Sequence, residues 1–398
     1  MKVAMIGLGY IGLPTAALMA SKGLDVLGFD VNNEVVRTIN QGKIHIVEPD
    51  LDGLVAKVVK EKKLQASTEL SPADVFVIAV PTPIRENHTP DISYVQKATE
   101  TVIPHLCEGN LFIIESTSPV GTTEKMADLI YSERPELQGK IHIAYCPERV
   151  LPGKVIYELA HNDRAIGGID PNSTKTAIQF YRNFVKGELY PTNAKTAEMV
   201  KLVENASRDV QIAFANELSI ISDKAGIDVW ELIELANKHP RVNILRPGTG
   251  VGGHCIAIDP WFIVADFQKE ARLIRTAREI NTYKTEWVIE KIKNAALQFE
   301  LKNNRKPIIA AMGLAFKPDI DDLRESPALY VARALKMQGF DVVASEPNID
   351  RSDEFELYSP EKAVEKADIV VFLVGHRQFK GLMVNNKEVL DFVKVSGK

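Results

Sequence analysis

An apolar segment, residues 1–8, runs into Gly7-Leu8-Gly9-Tyr10-Ile11-Gly12, and a helical pattern over 13–22 follows at once. Three glycines at that spacing constrain the fold more than any other feature. The first permits a tight turn, the second lets backbone approach a ligand, and the third lets helix and strand pack closely. A second apolar run, 24–29, ends at Asp30, eighteen residues after Gly12. Further apolar runs at 75–80, 111–114 and 141–145 have helical patterns between them. Strands alternating with helices predict a parallel, doubly wound sheet. A carboxylate at the end of the second strand accepts hydrogen bonds from a ribose 2′-hydroxyl and repels a 2′-phosphate. The motif therefore reads as an NAD site rather than an NADP site. GxGxxG alone is weakly specific, and a plain strand-turn-helix is the competing reading.

The end of the chain repeats this logic. A strand over 307–316 closes on Gly313-Leu314-Ala315-Phe316, which echoes Gly7-Leu8-Gly9-Tyr10. Ser326-Pro327 is an N-cap with a first-turn proline, opening a helix to Gln338. A strand at 340–345 follows, and 366–374 parallels 72–80. This is a second nucleotide-binding fold. It lacks the GxGxxG spacing, so a mononucleotide group suits it better than a dinucleotide pyrophosphate. Between the two folds lie helical patterns at 194–225, 228–237 and 271–298. The expected architecture is α/β: two Rossmann-like doubly wound domains, 1–190 and 301–398, flanking a central helical domain, 191–300.

The helix predicted at 194–225 has no Pro or Gly and would be about 48 Å long at 1.5 Å per residue. Met199, Leu202, Val203, Ile212, Phe214, Leu218 and Ile221 occupy more than one stripe of it. A helix apolar on more than one side needs more than one partner, which points to a homodimer or a multiple of one. A net charge of −5 gives no basic footprint for nucleic acid. No window reaches the roughly 18 apolar residues of a membrane span. Three cysteines without CxxC spacing fit a reducing compartment, hence the cytoplasm.

Gly250-Val251-Gly252-Gly253-His254-Cys255 sets a thiol at the end of a glycine-rich loop, with Asp259 four residues on. Such a thiol can attack a carbonyl; a small buried hydrophobe is the competing reading for a lone cysteine. Pro81-Thr82 and Ser116-Thr117 both follow predicted strands, where ligands of doubly wound sheets bind; turn chemistry explains the same residues. Glu148, after the strand at 141–145, is a candidate base or water-positioning group. Cys146 reads as structural. Lys201 and Asn205 are four apart, so they share a helix face. They are either oxyanion stabilisers or part of a solvated surface.

Together these motifs resemble the UDP-glucose/GDP-mannose dehydrogenase family over nearly the whole chain. The stretches that carry the likeness are 7–14, 115–123, 146–153, 198–208, 250–260 and 313–327, in the family's order. The resemblance implies two successive NAD-dependent oxidations at a sugar C6, through a thiohemiacetal and a thioester on Cys255. Lys201 and Asn205 would stabilise oxyanions. Asp259 would be a base or hold Lys201, and Thr117 and Glu148 would position or activate water. Gly7, Gly9, Tyr10, Ile11, Gly12, Asp30, Pro81, Thr82, Ser116, Thr117 and Arg324 would serve the cofactor. Glu148, Arg149, Val150, Lys201, Asn205, Asn243, Gly252, Gly253, His254, Phe316 and Lys317 would serve a UDP-sugar. Arg241 would reach a neighbouring subunit's substrate, and no metal is implied. Within the family, Gly252-Gly253-His254-Cys255 with Ala257 and Trp261-Phe262 is most similar to members acting on UDP-N-acetyl-D-mannosamine. UDP-N-acetylglucosamine and UDP-glucose are the alternatives. Where several relatives carry a basic residue on the adenosine side, this chain has Val35.

Overall fold

The computed structural model describes residues 1–150 and 153–395. Leu151 and Pro152, inside the 146–153 stretch, lie outside the described residues. The chain forms two compact units, Met1–Glu204 and Asn205–Lys398, with the boundary inside the helix Ala194–Ala225.

The first unit is built on eight strands: β1 (Lys2–Ile6), β2 (Asp25–Phe29), β3 (Leu64–Ser67), β4 (Val75–Ile78), β5 (Leu111–Ile114), β6 (His142–Tyr145), β7 (Arg164–Gly168) and β8 (Leu189–Asn193). Their spatial order is β3-β2-β1-β4-β5-β6-β7-β8. Val75, Phe76, Val77 and Ile78 are all buried, because helices cover both faces of the sheet. Alternate residues feed two cores, Val3, Met5, Val75 and Val77 on one face and Ala4, Ile6, Phe76 and Ile78 on the other. Each of these side chains larger than alanine contributes roughly 1.5–3 kcal/mol by burial.

The sheet departs from the expected all-parallel form at one edge, since β7 pairs antiparallel with β6 and carries β8 with it. Glycines in Arg164-Ala165-Ile166-Gly167-Gly168 and Pro191 in β8 hide both strands from a pattern reading. Gly167 and Gly168 are demanded by backbone atoms 2.1 and 2.4 Å from where their Cβ atoms would sit. Pro191 is tolerated because β8 is an edge strand.

The second unit holds a four-stranded parallel sheet of β9 (Ile308–Met312), β10 (Asp341–Ser345), β11 (Ile369–Phe372) and β12 (Glu388–Asp391), in the order β10-β9-β11-β12. The predicted strand at 307–316 is shorter than expected, because Gly313 turns at φ +93°. The relation to the first fold reaches individual bonds. Gly7 N donates to Phe29 O and Gly313 N to Ser345 O, both at 2.8 Å.

Helices fill the rest of this unit, including Val229–Ala236, Asp259–Asp266 and Arg272–Asn303. The helix Ala194–Ala225 matches its predicted bounds. It stops at Gly226 (φ +70°), where Ile227 N donates to Ser222 O at 2.9 Å, a bond that satisfies an end carbonyl. Ser326 caps Pro327–Met337 as predicted, accepting from Leu329 N. No helix is long and apolar enough to cross a membrane among the described residues.

Candidate active site

The glycine turn of the first unit is built as its spacing predicts. Gly7 sits at φ +94°, and a Cβ there would lie 2.5 Å from Ala79 O. A Cβ on Gly12 would lie 1.8 Å from Gly7 O, so the third glycine is required for the helix to meet the turn. Gly9 is different, with nothing within 4 Å of its Cβ position. Its missing side chain serves no packing within the protein and leaves room for a ligand to approach backbone. Tyr10 is exposed beside it and Ile11 is the helix N-cap. Asp30 accepts from Leu8 N at 3.0 Å and Asn32 N at 2.9 Å, one on each oxygen. A second lone pair on each oxygen remains for a ribose hydroxyl. These residues fit NAD.

Thr82 and Thr117 are half-buried beyond β4 and β5, and Pro81 is exposed. Ser116 is committed to the fold. Its Oγ donates to Val80 O at 2.8 Å and accepts from Val80 N at 2.9 Å, tying the two loops together. Glu148 points inward. It is 7% exposed, accepts from Arg149 N at 2.7 Å, and lies 3.0 Å from Arg164 Nη2. Arg149 makes a two-pronged contact with Glu204 at 2.5 and 3.0 Å. Val150 packs against the first core.

Several functional-looking residues in this unit escape sequence reasoning. Arg164, 2% exposed, sits among Glu115, Glu148, Cys146 and Tyr181. Tyr181 donates to Glu115 at 2.5 Å, and burial pushes the Glu115 carboxyl up to about 7. Burial likewise pushes the Cys146 thiol up to about 12, in keeping with a structural cysteine. Glu198 accepts from Gly121 N, Thr123 N and Thr123 Oγ1 at 2.6–2.7 Å and so occupies the N-terminus of the helix Thr122–Glu133. Glu48 does the same for Val155–His161. Glu115, Cys146 and Glu198 open stretches that the sequence analysis singles out, but their partners, and Arg164 after His161-Asn162-Asp163, leave no local signal.

The second unit brings together Gly252, Gly253, His254, Phe316 and Lys317 of the predicted substrate residues. A Cβ on Gly252 would meet Glu325 O at 2.2 Å and Phe316 Cβ at 2.9 Å, and one on Gly253 would meet the Phe316 ring at 2.8 Å. The two glycines therefore exist so that the loop carrying His254 and Cys255 can lie directly on Phe316. Lys317 follows on the same loop, its Nζ 5.7 Å from that ring. Cys255 is exposed and reduced, and its carbonyl accepts from Asp259 N at 2.8 Å. Asn205 donates to Asp259 Oδ2 at 2.6 Å. Lys201 lies one turn before Asn205 on the same helix. Arg324 is paired with Asp322 at 2.6–3.0 Å. Arg241 and Asn243 are exposed and apart from the thiol loop in sequence. They border an open groove of about 570 Å³ with Phe214 and Leu273.

In the second Rossmann-like fold, Glu346 stands where Asp30 stands in the first. It accepts from Leu314 N, Ala315 N and His376 at 2.7–2.9 Å and is only 3% exposed. Ala315, also buried, replaces the open Gly9. In this turn a buried side chain and the Glu346 carboxylate take the place of the open glycine and the exposed strand end of the first fold.

A glycine turn with a strand-end carboxylate in one unit, and an exposed thiol on a glycine loop beside a second nucleotide-type fold in the other, fit an NAD-dependent oxidoreductase acting on a nucleotide-bearing substrate. The chain belongs to the UDP-glucose/GDP-mannose dehydrogenase family: its NAD binding domain matches residues 1–185, its central domain 195–283 and its UDP binding domain 310–397.

Among known proteins the chain is 52% identical over 393 residues to an NDP-N-acetyl-D-galactosaminuronic acid dehydrogenase of Ralstonia nicotianae, covering 96% of this chain and 92% of that one. It is 51% identical over 408 residues to a UDP-N-acetyl-D-mannosamine dehydrogenase of Campylobacter jejuni, covering 98% of each. Among solved structures it superposes on a UDP-D-ManNAc dehydrogenase of Pyrococcus horikoshii with a TM-score of 0.89 at 41% identity, covering 99% of this chain and 96% of that one. The chain is therefore a nucleotide-sugar dehydrogenase that uses NAD.

Proposed function

We propose that this enzyme oxidises UDP-N-acetyl-D-mannosamine at C6 to UDP-N-acetyl-D-mannosaminuronate, through a thioester on Cys255. The observation that carries the reading is the seating of the Cys255 loop on Phe316 of the UDP-binding fold. Similarity to relatives named for that sugar supports the substrate. NAD, when bound, accepts a hydride in each of two oxidations. The alcohol first becomes an aldehyde. The Cys255 sulfur adds to the aldehyde carbon as thiohemiacetal, and the second oxidation leaves a thioester. Water then breaks the C–S bond, returning the thiol and releasing the carboxylate. Lys201 and Asn205 stabilise the oxyanions. Because one Asn205 amide hydrogen goes to Asp259, the other is oriented for that task. Thr117 and Glu148 position the water. The NAD residues lie in 1–190, the catalytic helix and thiol loop in 191–300, and the UDP contacts Phe316 and Lys317 in 301–398. The three reduced cysteines support a cytoplasmic setting.

The working enzyme is a homodimer or a multiple of one. Phe214 (52% exposed) and Leu273 (68% exposed) border the groove that holds Arg241, an apolar surface suited to a second copy. Arg241 then completes the partner's substrate site.

A second reading, the galacto-configured N-acetylhexosamine, is favoured by the Ralstonia nicotianae relative. The test is a panel of UDP-sugars with NADH counted per sugar consumed. UDP-N-acetylmannosamine should be preferred, with two NADH formed per sugar. Preference for the galacto or gluco N-acetyl sugar overturns the epimer, and preference for UDP-glucose overturns the subfamily. Cys255→Ala should abolish uronate formation and leave NAD affinity unchanged. Near-normal turnover would defeat the thioester.

A further inference from the structure

A line of buried polar groups in the second unit ends at the base of the thiol loop. Arg278, on the helix Arg272–Asn303, donates from Nη1 to Asp209 Oδ1 at 2.6 Å. Asn281, one turn on, donates from Nδ2 to the same Oδ1 at 2.8 Å. Asn216 Nδ2 donates to Asn281 Oδ1 at 2.8 Å, and Gly248 N donates to Asn216 Oδ1 at 2.9 Å. Asp209, Asn216, Asn281 and Arg278 are each at most 5% exposed. Two neighbouring contacts fix the same stretch. Thr285 Oγ1 donates to Thr249 O at 2.9 Å, and a Cβ on Gly250 would lie 2.3 Å from Thr285 Oγ1. Asp209 and Asn216 lie on the Ala194–Ala225 helix, which also supplies Asn205 to Asp259 beyond Cys255. One helix therefore grips the loop on both sides of the thiol.

The chain of bonds has a direction. Gly248 N–H can only donate, so the Asn216 oxygen must face it and the Asn216 nitrogen must face Asn281. That turns the Asn281 nitrogen toward the Asp209 carboxylate, an acceptor when ionised. Arg278 supplies the counter-charge. The links from Asp209 Oδ1 through Asn281 and Asn216 to Gly248 are each made and favour one arrangement of the loop; broken at one link, the line leaves further buried groups without partners.

We propose that Asn216, at the end of the Arg278–Asp209–Asn281–Asn216 relay, is a positioning residue for the reaction: it holds the Cys255 loop at Gly248 in the geometry the thiol needs. The inference rests on the reading of Cys255 as the reacting thiol.

The test uses the full-length enzyme with two readouts. One is steady-state kinetics. The other is the rate of iodoacetamide labelling of Cys255, resolved by peptide mass spectrometry, with the exposed Cys107 as internal control. Asn216→Ala should lower kcat about tenfold or more, as small misplacements of reacting groups do, while leaving KM for NAD within about threefold. Cys255 labelling should change at least about threefold with Cys107 labelling unaltered. Asn216→Asp keeps an acceptor for Gly248 but sets a carboxylate against the Asn281 oxygen. It should lose as much as Asn216→Ala. The proposal is overturned if kcat and Cys255 labelling both stay within about twofold of the parent. It is equally overturned if Cys107 labelling changes in step. An active Cys255→Ala enzyme would sink the thiol chemistry separately, because labelling reads the loop without turnover.

Discussion

Gly12 and Glu115 show how much a single residue can decide. A Cβ on Gly12 meets the Gly7 carbonyl at 1.8 Å, a clash between two backbone segments that no rotamer relieves. Gly12→Ala should therefore weaken NAD binding at least about tenfold, measured by titration, and lower the melting temperature. Glu115 is the opposite kind of case, since its stretch is marked in the sequence but its ionisation is not. Burial raises its carboxyl to about 7, with Arg164 opposing and Glu148 adding to the rise. Tyr181 and Cys146 face it as well. Between the unfolded value of 4.5 and about 7 the folded protein holds a proton that the unfolded chain has released. The stability this gives is complete below the lower value and is lost as pH rises through the upper one. Glu115→Gln, which cannot ionise, should flatten that fall by about 3 kcal/mol at 1.36 kcal/mol per unit. Urea melts at pH 5 and pH 8 would show it; parallel pH profiles for parent and variant would refute it.

Among elements, strand ends and helix starts carry the specificity. Asp30 closes β2 with its two oxygens engaged by Leu8 N and Asn32 N, so its carboxylate is fixed in place before any ligand arrives. A 2′-phosphate there would meet a like charge. NAD should be used far better than NADP, and Asp30→Ala should narrow the ratio of their kcat/KM values. Equal use of both by the parent enzyme would contradict the assignment. Ser326 has two duties. It caps Pro327–Met337 through Leu329 N, and its hydroxyl donates to Leu314 O at 2.7 Å. Ser326→Ala should lose about 1–2 kcal/mol by chemical denaturation. A loss under about 0.3 kcal/mol would mean that water replaces both bonds. The sequence pattern found Ser326 as a cap, but the bond to Leu314 joins residues twelve apart and has no local signature.

At the scale of the whole molecule, the apolar surface near Arg241 yields a sharp expectation for the proposed dimer. Phe214→Glu with Leu273→Glu should shift light-scattering mass toward the monomer and reduce activity in step. Mixing inactive Cys255→Ala subunits with inactive Arg241→Ala subunits should restore part of the activity if subunits exchange. A fully active monomer would defeat the dimer. Demonstrated exchange without recovered activity would defeat only the shared site.

Periodicity and glycine spacing made the two Rossmann-like folds, the long helix at Ala194–Ala225, Asp30, and the thiol loop legible in the sequence. These are local features, in which a turn, a cap or a repeat of 2 or 3.6 is written in adjacent residues. Tertiary structure alone decided the rest. It paired β7 antiparallel to β6, because glycine and proline erase the strand pattern there. It turned Glu148 inward onto Arg164, committed Ser116 to Val80, and filled the second nucleotide turn with Glu346 and His376. It also joined Arg278, Asp209, Asn281 and Asn216 into one line beneath Gly248. Each of these is a bond between groups far apart in the chain. Chain order holds no record of which polar groups meet once the apolar faces have closed over them.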